Sequence, residues 1–336
     1  MKVRPKITWL ISIFILILVI VVVGGITRLT NSGLSMVEWR LLYGFLPPLN
    51  HEEWVRVFDL YKQTPEFFHY NHTMDLHGFK QIFFWEYLHR VVGRVIGLII
   101  ILGGAILAFK KQFKPGDGKR FFAITLLVVS QGLLGWYMVK SGLIDKPDVS
   151  HFRLAAHLSL AIFLLQYILI WILKELDVKP RKIIPVLFSK WSFLILGLTS
   201  IQIVYGAFMA GLKAGYFFNT FPKMEGQWIP SSLFVLNPAL SNFTNNPIMV
   251  QFIHRSLAWL ILILIIFFVA KLRTQKLSRV EKISVNFLST AVFIQFLLGV
   301  ATLLLVVPVS LGVLHQLGGV ILITATVFNH YVFQRT

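Results

Sequence analysis

Apolar stretches alternate with polar or mixed segments along the whole chain of 336 residues. Eight of these stretches reach the length of about 20 residues that a helix needs to cross the hydrocarbon core of a membrane. They cover about 7–27, 81–109, 120–140, 151–173, 191–210, 248–270, 283–306 and 308–331. The pattern therefore predicts an all-α integral membrane protein with eight transmembrane helices.

Two of the connecting segments, 28–80 and 211–247, are long, and connections of such length usually carry or cover a functional site. The first contains a mixed amphipathic stretch from His51 to Lys62, which predicts a short helix beside the membrane. The composition agrees with a membrane protein, because 56% of the residues are hydrophobic and only 14% are charged.

The net charge of +18 comes from basic residues at one side of the predicted membrane. They concentrate in the N-terminal segment and in the loops after spans two, four and six, as in Lys110-Lys111, Arg181-Lys182 and Lys271-Leu272-Arg273. By the positive-inside rule both termini are cytoplasmic. The charge thus indicates topology and contact with anionic membrane lipid, and no nucleic-acid partner is expected.

Two further features of the sequence limit its chemistry and location. The absence of cysteine excludes disulfides, thiolate ligation of haem, Fe–S clusters and covalent haem attachment. The first apolar run follows Met1–Lys6 directly, without an Arg- and Ser-rich presequence, and lacks a convincing cleavage site. We therefore expect a multi-pass protein of the bacterial inner (cytoplasmic) membrane.

Four histidines lie at matched depths in four spans that run from outside to inside. They are His89, His157, His254 and His315, each about six to eight residues past the outer boundary, or roughly 9–12 Å deep. Ionisable groups inside a bilayer are costly and usually functional. Each histidine could instead be a buried side chain bonded to a backbone carbonyl, but four in register favour a shared function.

The four histidines belong to an internal repeat. Gln131-Gly-Leu-Leu-Gly135 in span three resembles Gln295-Phe-Leu-Leu-Gly299 in span seven, and His89-Arg90 resembles His254-Arg255. His157 and His315 follow in the same order. The repeat predicts two pseudo-symmetric four-helix bundles, formed by residues 1–175 and 176–336, and such bundles commonly hold cofactors between facing helices. Pairing within each half joins His89 with His157 and His254 with His315, as in the bis-histidine ligation of haem iron.

The two halves differ at the position three residues before the first histidine. Glu86 in the first half corresponds to Gln251 in the second, and each shares a helix face with its histidine. A carboxylate inside the membrane costs several kcal/mol unless it is paired or protonated. Glu86 is therefore a candidate acid or base of the first half, or alternatively the partner of Arg90 or Arg94 in a structural ion pair.

Arg90, Arg94 and Arg255 are candidate partners of haem propionates, because the guanidinium fork matches a carboxylate. A role in backbone-carbonyl contacts or ion pairs is the alternative. His69, His72 and His77 with Asp75 could bind a metal, but their spacing matches no strong motif and favours a surface loop.

Long motifs across most of the chain resemble the haem A synthase family, in the branch shared by alphaproteobacteria and mitochondria. The motifs are the run from Gly24 to Met36, which includes Ser35 and is followed by Trp39 and Pro47-Pro48, then Glu86-Tyr87-Leu88-His89-Arg90-Val91-Val92-Gly93-Arg94, the run from Gln131 to Leu143, His157-Leu158-Ser159-Leu160, Phe252-Ile253-His254-Arg255 and His315-Gln316-Leu317-Gly318-Gly319. Some family members carry a cysteine pair in the first outer loop. This chain has none, so no thiol-based electron relay is carried over.

The resemblance implies an enzyme that converts haem O to haem A by oxidising the C8 methyl group to a formyl group in successive hydroxylations. It implies a haem b cofactor on His254 and His315, and a haem O substrate between His89 and His157, with Glu86 in catalysis. The substrate would come from a membrane haem O synthase, and the product would serve cytochrome oxidase assembly.

Two functions of other classes remain open at this point. A dihaem b-type electron-transfer cytochrome would keep both haems permanently. A haem-transfer or assembly factor would bind haem without altering it. The difference between Glu86 and Gln251 favours an enzyme over both.

Overall fold

The structure of the protein is a computed structural model that describes residues 4–38, 45–142, 149–181 and 185–334, with 141 and 142 described by their backbone alone. Within these ranges the fold is helical, and the only β-type pairing is an isolated bridge between Met224 and Gln227. In chain order the α-helices are α1 (Pro5–Leu29), α2 (His51–Lys62), α3 (Leu76–Phe109), α4 (Asp117–Gly142), α5 (His151–Glu175), α6 (Val186–Gly211), α7 (Asn242–Asn245), α8 (Pro247–Arg273), α9 (Arg279–Leu304) and α10 (Val309–Phe333).

Eight of these helices, in the part of the chain that the structure describes, are long and apolar enough to cross a membrane. They are α1, α3, α4, α5, α6, α8, α9 and α10, so the predicted fold class is confirmed. The amphipathic stretch from His51 to Lys62 forms α2, as predicted. The long segment between α1 and α3 also contains a π-helical turn at Phe67–Asn71. The long segment between α6 and α8 contains 3₁₀ turns at Ala214–Tyr216, Ser231–Phe234 and Ala239–Ser241.

Polar side chains fix where several helices begin. Asp75 accepts a hydrogen bond from the Gly78 amide at 2.8 Å, so α3 starts before the predicted apolar boundary and projects out of the apolar span. Asn246 caps α8 in the same way, and Ser278 with Glu281 forms a capping box at the start of α9. The caps satisfy amide groups that the first helical turn leaves without a partner.

The chain divides into two compact units, residues 1–164 and 165–336, and the division falls inside α5 rather than in the loop after it. In the second unit α6, α8, α9 and α10 form a closed bundle, in which α9 packs on α10, α6 on α8 and on α10, and α8 on α9. Buried apolar side chains such as Phe268, Leu288 and Phe333 form its core.

In the first unit α1 and α4 pack on α3, and α2 packs on the N-terminal part of α3. A buried aromatic cluster lies between α2 and α3 and consists of Phe58, Tyr61, Phe79 and Phe83. Burial and the neighbouring Glu66 carboxylate raise the pKa of Tyr61, so this phenol stays protonated and donates to Glu66 Oε2 at 3.2 Å. In the described residues, α4 and α5 lack the extended close packing that joins α9 to α10.

Candidate functional site

Each of the four histidines presents its ring edge to a glycine on a neighbouring helix. A Cβ atom at Gly24 of α1 would lie 2.9 Å from His89 Cε1, and one at Gly299 of α9 would lie 2.8 Å from His315 Cε1. The corresponding distances are 3.2 Å from Gly135 of α4 to His157 and 3.5 Å from Gly206 of α6 to His254. We call this contact between a histidine ring and a glycine of a neighbouring helix a cradle, and it occurs four times. In the two tightest cradles only a residue without a side chain leaves room for the ring.

The rings of His254 and His315 face each other across the second unit. Their centroids are 6.2 Å apart, and their planes are inclined by 79°. Two imidazoles that bind one metal ion from opposite sides at about 2.0–2.1 Å, with ring centres about 1.1 Å from the bonding nitrogens, have centroids roughly 6.3 Å apart. The observed separation therefore fits two histidines that would bind one iron.

In the first unit the ring of His89 lies against Gly24 of α1, and the ring of His157 lies against Gly135 of α4. The Nδ1 atoms of His89, His157 and His254 are buried and have no hydrogen-bond partner among the described residues. Buried polar atoms are nearly always bonded, so three unpartnered imidazole nitrogens call for an explanation. Neutral imidazole is the usual histidine ligand of iron, and the residues present fit haem at both pairs.

Three glutamines on neighbouring helices donate hydrogen bonds to the main chain of three of the four histidines. Gln131 Nε2 donates to the main-chain oxygen of His157 at 2.9 Å. Gln202 Nε2 donates to that of His254 at 3.0 Å, and Gln295 Nε2 to that of His315 at 3.0 Å. A helical carbonyl keeps one lone pair after its intrahelical bond, so it can accept this second donor. The glutamines thereby fix each of these three histidines relative to the helix that carries its glycine.

Glu86 is buried and fastens the first loop, the segment that follows α1, to α3. Its Oε2 accepts hydrogen bonds from Ser35 Oγ at 2.7 Å and from the Met36 amide at 2.8 Å. Its Oε1 forms an ion pair with Arg90 at 2.5 Å, and Arg90 also donates to the Met36 carbonyl. The structural ion pair that the sequence left open is thus present, and the pairing offsets the cost of a buried carboxylate.

Gln251 fastens the second loop, the segment that follows α6, to α8 with the opposite hydrogen-bond polarity. Its Nε2 donates to the carbonyl oxygens of Ala214 at 3.1 Å and Phe217 at 2.5 Å. Arg255 adds bonds to the carbonyls of Thr220 and Phe218. The first loop offers donors and meets a carboxylate, whereas the second offers acceptors and meets an amide. The difference between Glu86 and Gln251 therefore matches the polarity of the loop that each one holds.

The remaining predicted residues lie apart from these contacts. The guanidinium of Arg94 lies over the ring of Phe45, 5.4 Å from its centroid. Asp75 is occupied as the cap of α3, and His77 contacts Gln81. Binding of propionates by Arg90, Arg94 and Arg255 stays a prediction, and so do the catalytic role of Glu86 and the assignment of haems to the two halves.

Sequence reasoning missed the part played by Gln202, Gly206 and Ser35. Gln202-Ile203-Val204-Tyr205-Gly206 has the same glutamine-to-glycine spacing as Gln131 to Gly135 and Gln295 to Gly299. A search for this spacing alone would have found it. The repeat did not indicate it, because the helix of the first half that corresponds to α6 has no glutamine four residues before its glycine.

Comparison with known proteins covers nearly the whole chain. The family model COX15-CtaA, described as cytochrome oxidase assembly protein, matches residues 7–327. A protein of Nitrosospira multiformis named heme A synthase is 41% identical over 99% of this chain and 94% of its own length. A heme A synthase of Flavobacterium johnsoniae is 41% identical over 97% of each chain. A third, from a Wolbachia pipientis strain, is 39% identical over 96% of each chain.

Proposed function

The chain belongs to the COX15-CtaA family of cytochrome oxidase assembly proteins, and we propose that it is a haem A synthase, an oxidoreductase that converts haem O to haem A. The observation that carries the proposal is the pairing of four glycine-cradled histidines in a chain about 40% identical, nearly end to end, to proteins of that name. The reaction oxidises the C8 methyl group of the porphyrin to a formyl group, a net removal of four electrons.

Within this function we assign different haems to the two halves. His254 and His315 hold a resident haem b, and the assignment is supported by their 6.2 Å ring separation and by the closed bundle around them. His89 and His157 hold haem O, supported by the looser packing between α4 and α5. Haem iron supplies the redox chemistry when it is bound.

The protein's own residues position the substrate and exclude competing reactions. His89 and His157 fix the porphyrin plane, and Gly24 and Gly135 let their rings approach neighbouring helices. Glu86 lies one helical turn from His89 on the same face of α3. We assign to it the supply of a proton or the stabilisation of charge during oxidation, while Ser35 and Arg90 hold its carboxylate in place.

Three further parts of the proposal concern the setting of the enzyme. We place it in the bacterial inner membrane with both termini in the cytoplasm, supported by the basic loops on that side. Arg90, Arg94 and Arg255 are assigned to the propionates of the bound haems. Haem O arrives from a membrane haem O synthase, and haem A leaves to cytochrome oxidase assembly.

The test is expression in a bacterial host that makes haem O and lacks haem A. Haems extracted from its membranes are separated by chromatography and identified by mass. We expect haem A, or a hydroxylated precursor, only when the chain is present. If haem O persists unchanged and only haem b is bound, the chain acts as a dihaem cytochrome or a haem carrier and the proposal is wrong.

A further inference from the structure

A glutamine one turn before the cradle glycine recurs at three of the four histidines. In α4, α6 and α9 the glutamine is Gln131, Gln202 or Gln295, and the glycine follows four residues later. In each case the glutamine bonds the main-chain oxygen of the histidine whose ring the glycine accommodates. The spacing places both residues on one helix face, so a single helix turn holds the ring edge and the backbone of its histidine together.

The fourth cradle lacks this bond. Gly24 of α1 accommodates the His89 ring like the other three glycines, but the residue four positions earlier is Ile20. An isoleucine side chain has no donor, so position 20 cannot bond the His89 carbonyl. In the second half both histidines have a glutamine side chain bonded to their main-chain oxygen, and in the first half only His157 has one. The ring of His89 still bonds the main chain of Ile20, as the rings of His254 and His315 bond the main chain of Gln202 and Gln295, so His89 lacks only the bond from the side chain.

The two glutamines of the second half also lie close to the rings themselves. Gln202 Nε2 is 3.4 Å from His254 Nε2, and Gln295 Nε2 is 3.1 Å from His315 Nδ1. The Oε1 atoms of Gln131, Gln202 and Gln295 are buried, and none has a hydrogen-bond partner in the described part of the chain. Groups beside a ligating histidine set its orientation and basicity, so these amides are placed to influence the bond to iron.

We propose that the three glutamines are positioning residues that fix the axial histidines, and that Ile20, in the place of a fourth glutamine, makes His89 the ligand that releases haem. The inference rests on the proposed function, because it explains how one scaffold retains a cofactor in one half and exchanges a substrate in the other. A glutamine at position 20 would add one neutral hydrogen bond in an apolar setting. Lacking that bond changes the rate of haem exchange but does not abolish haem binding.

The test measures haem exchange from the purified full chain. Protein loaded with haem b in detergent is mixed with excess apomyoglobin, and haem loss is followed in the Soret band. Wild type should give a fast phase from the first half and a slow phase from the second. Gln202→Ile should accelerate the slow phase, and Ile20→Gln should slow the fast phase, each by roughly two- to tenfold, the range that one hydrogen bond supports.

A matched control separates the position of the amide from its mere presence. Leu16→Gln adds the same side chain one turn away on the same face of α1 and should leave both phases unchanged. The low-spin EPR signal, which reports the angle between the imidazole planes, should shift in Gln202→Ile. A merely structural role of Gln202 would lower stability without moving this signal.

Two results would overturn the inference. One is an unchanged fast phase in folded Ile20→Gln protein. This measurement tests the inference even if Gln202→Ile does not fold. The other is an unchanged slow phase and EPR signal in Gln202→Ile. Failure of the proposed function looks different, because wild type would then lose both haems in one slow phase and its host would make no haem A.

Discussion

The two halves of the molecule accommodate their histidine rings in the same way, but they fasten their long loops through hydrogen bonds of opposite polarity. In both halves a glycine on a neighbouring helix receives each imidazole ring. The first loop, however, gives hydrogen bonds to Glu86, whereas the second receives them from Gln251. The comparison teaches that the histidine and glycine positions repeat in the two halves, whereas the loop contacts of Glu86 and Gln251 differ. These loop contacts are therefore where the two halves can differ in function.

The largest expected effect comes from removing a histidine of the second half. His254→Ala or His315→Ala should abolish the low-spin b-type optical spectrum, because one axial ligand of the resident haem is lost. His89→Ala is the matched variant of the first half and should retain most of that spectrum. The reverse pattern in spectra of the purified variants would exchange the assignments of the two halves.

Next in size is the effect of Glu86→Gln on the first half. The substitution removes the buried negative charge opposite Arg90, and leaving one partner of a buried ion pair costs about 3–5 kcal/mol. We expect haem b to be retained while haem O or a hydroxylated intermediate accumulates in pigment extracts. Normal haem A from this variant would remove Glu86 from catalysis.

Ser35→Ala serves as the control that separates chemistry from loop attachment. It removes one hydrogen bond to Glu86, worth about 1 kcal/mol, and keeps the carboxylate and its ion pair. If Glu86 acts chemically, Ser35→Ala should produce much more haem A than Glu86→Gln. Equal losses in the two variants would mean that holding the loop is the whole task of Glu86.

A smaller effect is expected when the second half receives the residue of the first. Gln251→Glu turns a donor into an acceptor that faces the carbonyls of Ala214 and Phe217, and each buried group left without a partner costs about 1–3 kcal/mol. The thermal unfolding midpoint, followed by haem b absorbance, should fall. Gln251→Leu is the control that loses the two hydrogen bonds without adding a charge, and its unfolding midpoint should fall less. Equal midpoints for Gln251→Glu and wild type would contradict the polarity argument.

The smallest effects should come from adding one methyl group to a cradle. In Gly299→Ala the new Cβ would lie 2.8 Å from His315 Cε1, closer than Cβ atoms are found to their neighbours, so the ring must shift. We expect partial loss of haem b per protein in pyridine haemochrome assays. Gly132→Ala is the control, since its Cβ would meet nothing within 4 Å. Equal haem content in both variants would show that the cradle is not needed for ligation.

The helices could be predicted from the sequence because the eight spans are long and apolar, and the contact between His254 and His315 could be predicted from the repeat. The contacts of Glu86 could not be predicted in this way. They depend on the backbone direction of a loop some fifty positions earlier, at Ser35 and Met36, and hydropathy carries no information about which loop atoms face inward. Carbonyl contacts of Arg255 were the alternative that the sequence left open beside a propionate, but the sequence could not indicate that the carbonyls are those of Phe218 and Thr220.

The central claim, one resident haem and one reacting haem in a duplicated scaffold, is tested most directly by identifying the haems bound to two matched variants. His89→Ala and His254→Ala are purified from a host that makes haem O, and their haems are extracted and identified by mass. The account predicts haem b in His89→Ala with little haem O or haem A, and loss of haem b from His254→Ala. Haem b alone, in equal amounts in both variants, would contradict it.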